Sequence, residues 1–151
     1  MSEYELLYES IKQVINTNFN TVFGYIGETE IDEDGNTIPV KDTIAMYFKG
    51  GFVGSRNVTN GQYFYEQARV VFNVYGNSTV DGIKDTLTEC DRIKKLLDST
   101  NNIKFSYPQN DINIIIICTT RSTNINDLGR NEQGIPVYSI NYNIKYRGGG
   151  N

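Results

Sequence analysis

The sequence has no histidine and no tryptophan, and it has two cysteines and three prolines in 151 residues. Without histidine, neither a Ser-His-Asp nor a Cys-His relay can be built, which removes the common hydrolytic nucleophile systems. Cys90 and Cys118 stand far apart within apolar patterns. They have no zinc spacing and no imidazole to complete a site, so they read as buried thiols. Long apolar runs are also missing. The longest, INIIIICTT, is strand-sized, well short of the roughly 20 residues of a membrane span, so no membrane partner is expected. The opening MSEYELL is acidic and polar rather than signal-like, which predicts a protein that is not secreted. No GxxxxGK[ST] or GxGxxG pattern occurs. GGFVGS follows a strand with no helix behind it, so no nucleotide cofactor is predicted.

Basic charge is scarce at one end. Residues 1–42 hold nine acidic and two basic side chains, whereas the remainder holds nine and twelve, within a net charge of −4. Such polarity suits head-to-tail self-association as well as plain solvation. The acidic stretch ETEIDEDGNTIP has the composition of a tight turn. Asp32, Asp34 and Asn36 alternate like calcium-loop ligands. Thr37 stands where that loop requires glycine, and Thr43 where it requires a closing glutamate, so no calcium is predicted.

Two segments carry helical periodicity. Over residues 3–17, Tyr4, Leu7, Ile11, Val14 and Ile15 form one stripe widened by Leu6 and Tyr8, and Ser2 and Glu5 have capping-box spacing. Over residues 79–98, the stripe is Val80, Ile83, Leu87, Cys90, Ile93 and Leu97, with Asn77, Ser78 or Thr79 as cap. Its acidic residues lie early and its basic residues late, which suits the helix dipole. Strand patterns occur around residues 19–26, 44–48, 62–76, 103–107, 112–120 and 135–147. Residues 50–61 and 121–134 read as mobile surface loops, and residues 148–151 as a flexible tail after one domain spanning 1–147. The order predicts an α+β fold: a twisted, mainly antiparallel sheet packed against two amphipathic helices, with the last two strands paired.

The last strand alternates most cleanly. Tyr138, Ile140, Tyr142, Ile144 and Tyr146 form an apolar face, opposed by Val137, Ser139, Asn141, Asn143 and Lys145. The second face is polar but nearly uncharged, so it tolerates partial burial if its hydrogen bonds are met. Eleven tyrosines fit an interface-rich surface.

ARVVFNVYGNSTVDGIKDTLTECDRIKKLLD, a strand, a short turn and an amphipathic helix, is followed at a distance by GIPVYSINYNIKYR. In these stretches the chain resembles the small minor structural proteins of tailed bacteriophages, of the tail-terminator and head–tail joining class. The resemblance implies a ring, typically hexameric, on top of the tail tube. That ring ends tube polymerisation, meets the head connector and passes DNA through its channel without sequence specificity. It implies no catalytic residues and no cofactor, and a location in the tail–neck region of the virion after assembly in the host cytoplasm. Candidate assembly-interface residues are Arg56, Arg69, Asn73, Tyr75 and Arg121, together with Arg130, Ser139, Asn141, Asn143 and Lys145. A head-completion or tail-tube subunit is the alternative within the virion. A small intracellular enzyme with a carboxylate metal site around Asp32 and Asp34 is the alternative from another class.

Overall fold

A computed structural model of the chain describes residues 2–52 and 65–150. The first helix, α1, spans Glu3–Ile15. Ser2 caps it, its Oγ accepting from the Glu5 N–H at 3.2 Å. The helix stops short of residue 17 because Asn16 turns left-handed (φ 39°) and returns its N–H to the Lys12 carbonyl. Asparagine tolerates that conformation better than most residues.

The chain then lays down β1 (Asn20–Phe23), the short ribbon β2 (Thr29–Ile31) and β3 (Thr37–Pro39), and β4 (Thr43–Phe52). Strand β5 covers Glu66–Tyr75, helix α2 Gly82–Asp98, β6 Asn101–Tyr107, β7 Ile112–Arg121, β8 Asn126–Arg130 and β9 Pro136–Gly150. The main sheet has the order β1-β4-β5-β9-β7-β6, with β8 also paired to β9, while β2 and β3 form a separate two-stranded ribbon. Among the described strands, β1–β4 is the one parallel pair and the others are antiparallel. The fold is α+β: a curled, mainly antiparallel sheet packed against two amphipathic helices.

One sheet face and both helices make the core. Phe72 and Val74 of β5, Ile140, Tyr142 and Ile144 of β9, and Ile114 and Ile116 of β7 join Leu7 and Ile11 of α1 and Ile93 and Leu97 of α2 in one cluster. Alternation explains it, because successive strand residues point to opposite faces and the apolar set recurs every second position.

Several expectations change. Helix α2 begins at Gly82 because the Asn77 side chain accepts the Thr79 N–H at 3.1 Å, which makes a local turn before the helix. Its buried face is Thr86, Cys90, Ile93 and Leu97, rotated from the predicted stripe, and Val80, Ile83 and Leu87 are exposed. Residues 121–134, predicted as a mobile surface loop, instead contain β8. Strands β7 and β8 run along the same edge of β9: Arg121 pairs with Tyr142, the Ser122 N–H reaches the Asn141 carbonyl, and Asn126 pairs with Ser139. The sequence is polar there because β8 is exposed along its length, so hydrophobic alternation could not announce it. The predicted tail at residues 148–151 is also revised, since Gly148–Gly150 continue β9 and pair with Ile112–Ile114 of β7. Glycine suits this position at Gly148, where a Cβ would overlap the Glu3 carboxylate. Of the other predicted loop, residues 50–52 belong to β4, and residues 53–61 lie outside the described residues.

Candidate assembly face

Strands β5 and β9 are central neighbours, and their register sorts the candidate residues. Tyr75 pairs with Val137, Asn73 with Ser139, Val71 with Asn141, Arg69 with Asn143 and Gln67 with Lys145. Each pair lies on the face opposite the helices. Seven candidates therefore share one surface: Arg69, Asn73 and Tyr75 from β5, and Ser139, Asn141, Asn143 and Lys145 from β9. Sequence separation hides this, but the antiparallel register brings it about.

The face is not a simple wet surface. Ser139, Val137 and Val71 are buried, whereas Asn73, Asn141 and Asn143 are half-buried. Among the described residues, two side-chain hydrogen bonds lie at its centre. Ser139 Oγ and Asn141 Oδ1 are 3.5 Å apart, and the Asn141 N–H donates to Thr123 Oγ1 at 3.2 Å. Asn143 Oδ1 and Asn113 Oδ1, the latter on the same face of β7, are buried without a hydrogen-bond partner among the described residues. An orphaned buried polar atom costs about 1–3 kcal/mol. The Lys145 ammonium sits 5.0 Å from the centre of the Tyr65 ring, a cation–π arrangement.

The ribbon is rooted against the sheet between the Tyr75 end and the Val71 row, where Tyr47 lies. Tyr25 stacks on Tyr47 with ring centroids 4.3 Å apart, and the buried Val40 donates its N–H to the Glu28 carbonyl at 2.9 Å. Burial, then the Glu28 charge and Tyr47, raise the Tyr75 hydroxyl above the ordinary phenol range.

The remaining candidates lie elsewhere. Arg121 is on the helix side of the sheet, where Nη1 donates to Asn124 Oδ1 at 3.0 Å and Nε faces Asp98 Oδ2 at 3.6 Å. Arg130 closes the β8–β9 turn by donating from Nη1 to the Gly134 carbonyl at 2.7 Å. Arg56 lies outside the described residues. Two further cations share the face. Arg147, Ile115 and Lys104 stand directly opposite one another across β9, β7 and β6. The β9 alternation signalled Arg147, but only the three-strand register adds Lys104.

Asp32 explains the alternating acidic pattern. Its Oδ1 accepts the N–H groups of Asp34 at 3.0 Å and Asn36 at 2.8 Å, capping the β2–β3 turn. Among the described residues, no group of three or more His, Cys, Asp or Glu side chains is arranged to hold a metal ion. No described helix is long and apolar enough to cross a membrane. Cys90 is sealed in the core, and burial pushes its thiol up to about 12, which leaves it a packing residue. Neither a family model nor a curated protein matches the chain.

Proposed function

We propose that the protein is a structural subunit that closes into a ring, of the kind that caps a bacteriophage tail tube and meets the head connector. The supporting observation is the half-buried polar face of β5, β9 and β7, with two orphaned asparagine oxygens and few charges at its centre. Such a surface is costly in an isolated subunit and becomes favourable when a neighbour supplies the missing hydrogen bonds. Its partners in this reading are further copies of itself, the tail-tube protein and the head-connector or completion protein, with DNA passing through the channel. No cofactor is involved, and the residues that act do so by contact.

Sedimentation velocity with mass determination, followed by negative-stain electron microscopy, tests this. A discrete closed ring, expected to be hexameric, is the anticipated result. A monomer at all concentrations, alone and with a tail-tube partner, overturns the reading. Indefinitely stacked rings support the tube-subunit alternative instead, because a terminator stops after one closed layer.

A further inference from the structure

We infer that the β2–β3 ribbon is a docking arm, and that its occupant site is the cation-bearing corner of the sheet on a second copy of this chain. The inference rests on the ring-forming reading and specifies which elements meet.

The arm has the makings of an interaction element. A two-stranded ribbon is marginally stable by itself in water, and this one joins no strand of the main sheet. All of β2 is exposed, with Ile31 at 74%. From residue 28 to residue 34 the sequence is ETEIDED, five carboxylates without a cation. Among the described residues, the ion pairs join Arg92 to Glu89, Lys95 to Asp91 and Arg121 to Asp98; none involves the arm, whose Glu28, Glu30, Glu33 and Asp34 are exposed.

The complementary surface lies at the far end of the same sheet face. Lys145, Arg147 and Lys104 occupy neighbouring rows on β9 and β6. The same-face positions of β5, β6, β7 and β9 contain no Asp or Glu. Ile115, half-buried between Arg147 and Lys104, gives the corner an apolar centre.

Geometry makes the match intermolecular. The arm is rooted beside Tyr47 and Tyr75. Tyr47 is level with Val71 and Asn141, and Arg147 lies six residues further along β9, about 20 Å at strand rise, with Lys104 two strands beyond it. The three-residue strands of the arm extend only about 10 Å. Each subunit thus offers an acidic arm at one end and a cationic corner at the other, which is the polarity of a heterologous, head-to-tail contact. Exposed ion pairs contribute little individually. Together they set register, direction and encounter rate.

Charge reversal and its complementation test the pairing. One variant carries Glu30→Lys and Asp34→Lys, leaving the turn-capping Asp32 in place. The other carries Lys104→Glu and Arg147→Glu. All four side chains are exposed, and circular dichroism melts check that both variants fold. At low salt each variant alone should self-associate at least about tenfold more weakly than the wild type. An equimolar mixture should recover wild-type assembly, because the reversed arm then meets the reversed corner. If wild-type rings form and both variants assemble unchanged, or the mixture fails to recover, the arm–corner contact is wrong while the ring reading stands. If the corner variant assembles normally but no longer retards duplex DNA, the corner is a nucleic-acid surface and the inference is overturned. A wild type that is strictly monomeric removes both.

Discussion

The Tyr142 hydroxyl donates to Asp98 Oδ1 at 2.8 Å, tying the middle of β9 to the last turn of α2. Arg121 faces the other carboxylate oxygen of Asp98 at 3.6 Å, and Thr119 donates its hydroxyl to the Leu97 carbonyl. Sheet and helix are therefore joined by polar contacts at the rim of an apolar core. The arrangement uses the only polar atom of a side chain that is otherwise fully buried.

Removing that hydroxyl in Tyr142→Phe should lower stability by about 1–2 kcal/mol, the lower part of the range for a bond to a charged group because Asp98 is partly open to solvent. Urea unfolding should show a lower midpoint with an unchanged slope, and an unchanged midpoint would sink this assignment. Burial, then the Asp98 hydrogen bond and charge, raise the Tyr142 hydroxyl above the ordinary phenol range. Its protonation-linked stability is fully present below about pH 10 and is lost as pH rises further. The variant should lose less stability than the wild type in that alkaline window.

A second polar rim contact predicts acid-favoured stability. The Tyr146 hydroxyl donates to Glu66 Oε2 at 2.9 Å. Burial, then the Glu66 charge and a hydrogen bond to Glu66, raise the Glu3 carboxyl above the usual carboxylate range. A raised carboxyl stabilises most below its unfolded value, and that contribution fades as pH climbs through the folded value. Glu3→Gln keeps a donor toward Glu66 and cannot titrate. As pH rises above the ordinary carboxylate range, the wild type should therefore lose stability relative to Glu3→Gln, until Glu3 is ionised in the folded state as well. Glu89 acts in the opposite sense: burial would raise its carboxyl, but the Arg92 and Thr17 hydrogen bonds outweigh this and lower it. Because Glu89 is common to both proteins, the difference in urea midpoint isolates Glu3. A difference that is flat with pH would count against the pair.

Gly76 sits where β5 leaves the sheet. It donates its N–H to the Pro136 carbonyl at 2.9 Å and accepts the Asp42 N–H at 2.9 Å. A Cβ there would overlap Thr86 Oγ1 on α2 and approach Pro136 Cγ at 3.0 Å. Gly76→Ala should therefore cost about 1–3 kcal/mol through overpacking. Adding Thr86→Ala should recover part of the loss, read as a non-additive double-mutant cycle in thermal or urea unfolding. Strict additivity would mean that the two residues do not press on one another.

Much of this fold is legible along the chain. The α1 stripe of Leu7, Ile11 and Ile15, the Ser2 cap and the alternation of residues 137–146 follow from local geometry, which repeats at 3.6 or 2 residues. The late start of α2 was obscured because three consecutive cap-forming residues compete, and the Asn77 side chain settles the competition by closing a turn. Strand β8 was illegible because an exposed edge segment has no apolar period to display.

The sequence by itself determined which side chains of each strand share a face, and that the second face of β9 is polar and almost free of charge. Pleating imposes that sorting within a few residues. Only the tertiary structure decided which strands lie beside one another. It set Asn73 against Ser139, aligned Lys104 with Arg147 across β7, turned Arg121 toward Asp98, and separated the acidic ribbon from the cationic corner of the same sheet. Register and strand order depend on contacts between residues far apart in the chain, and no local period encodes them.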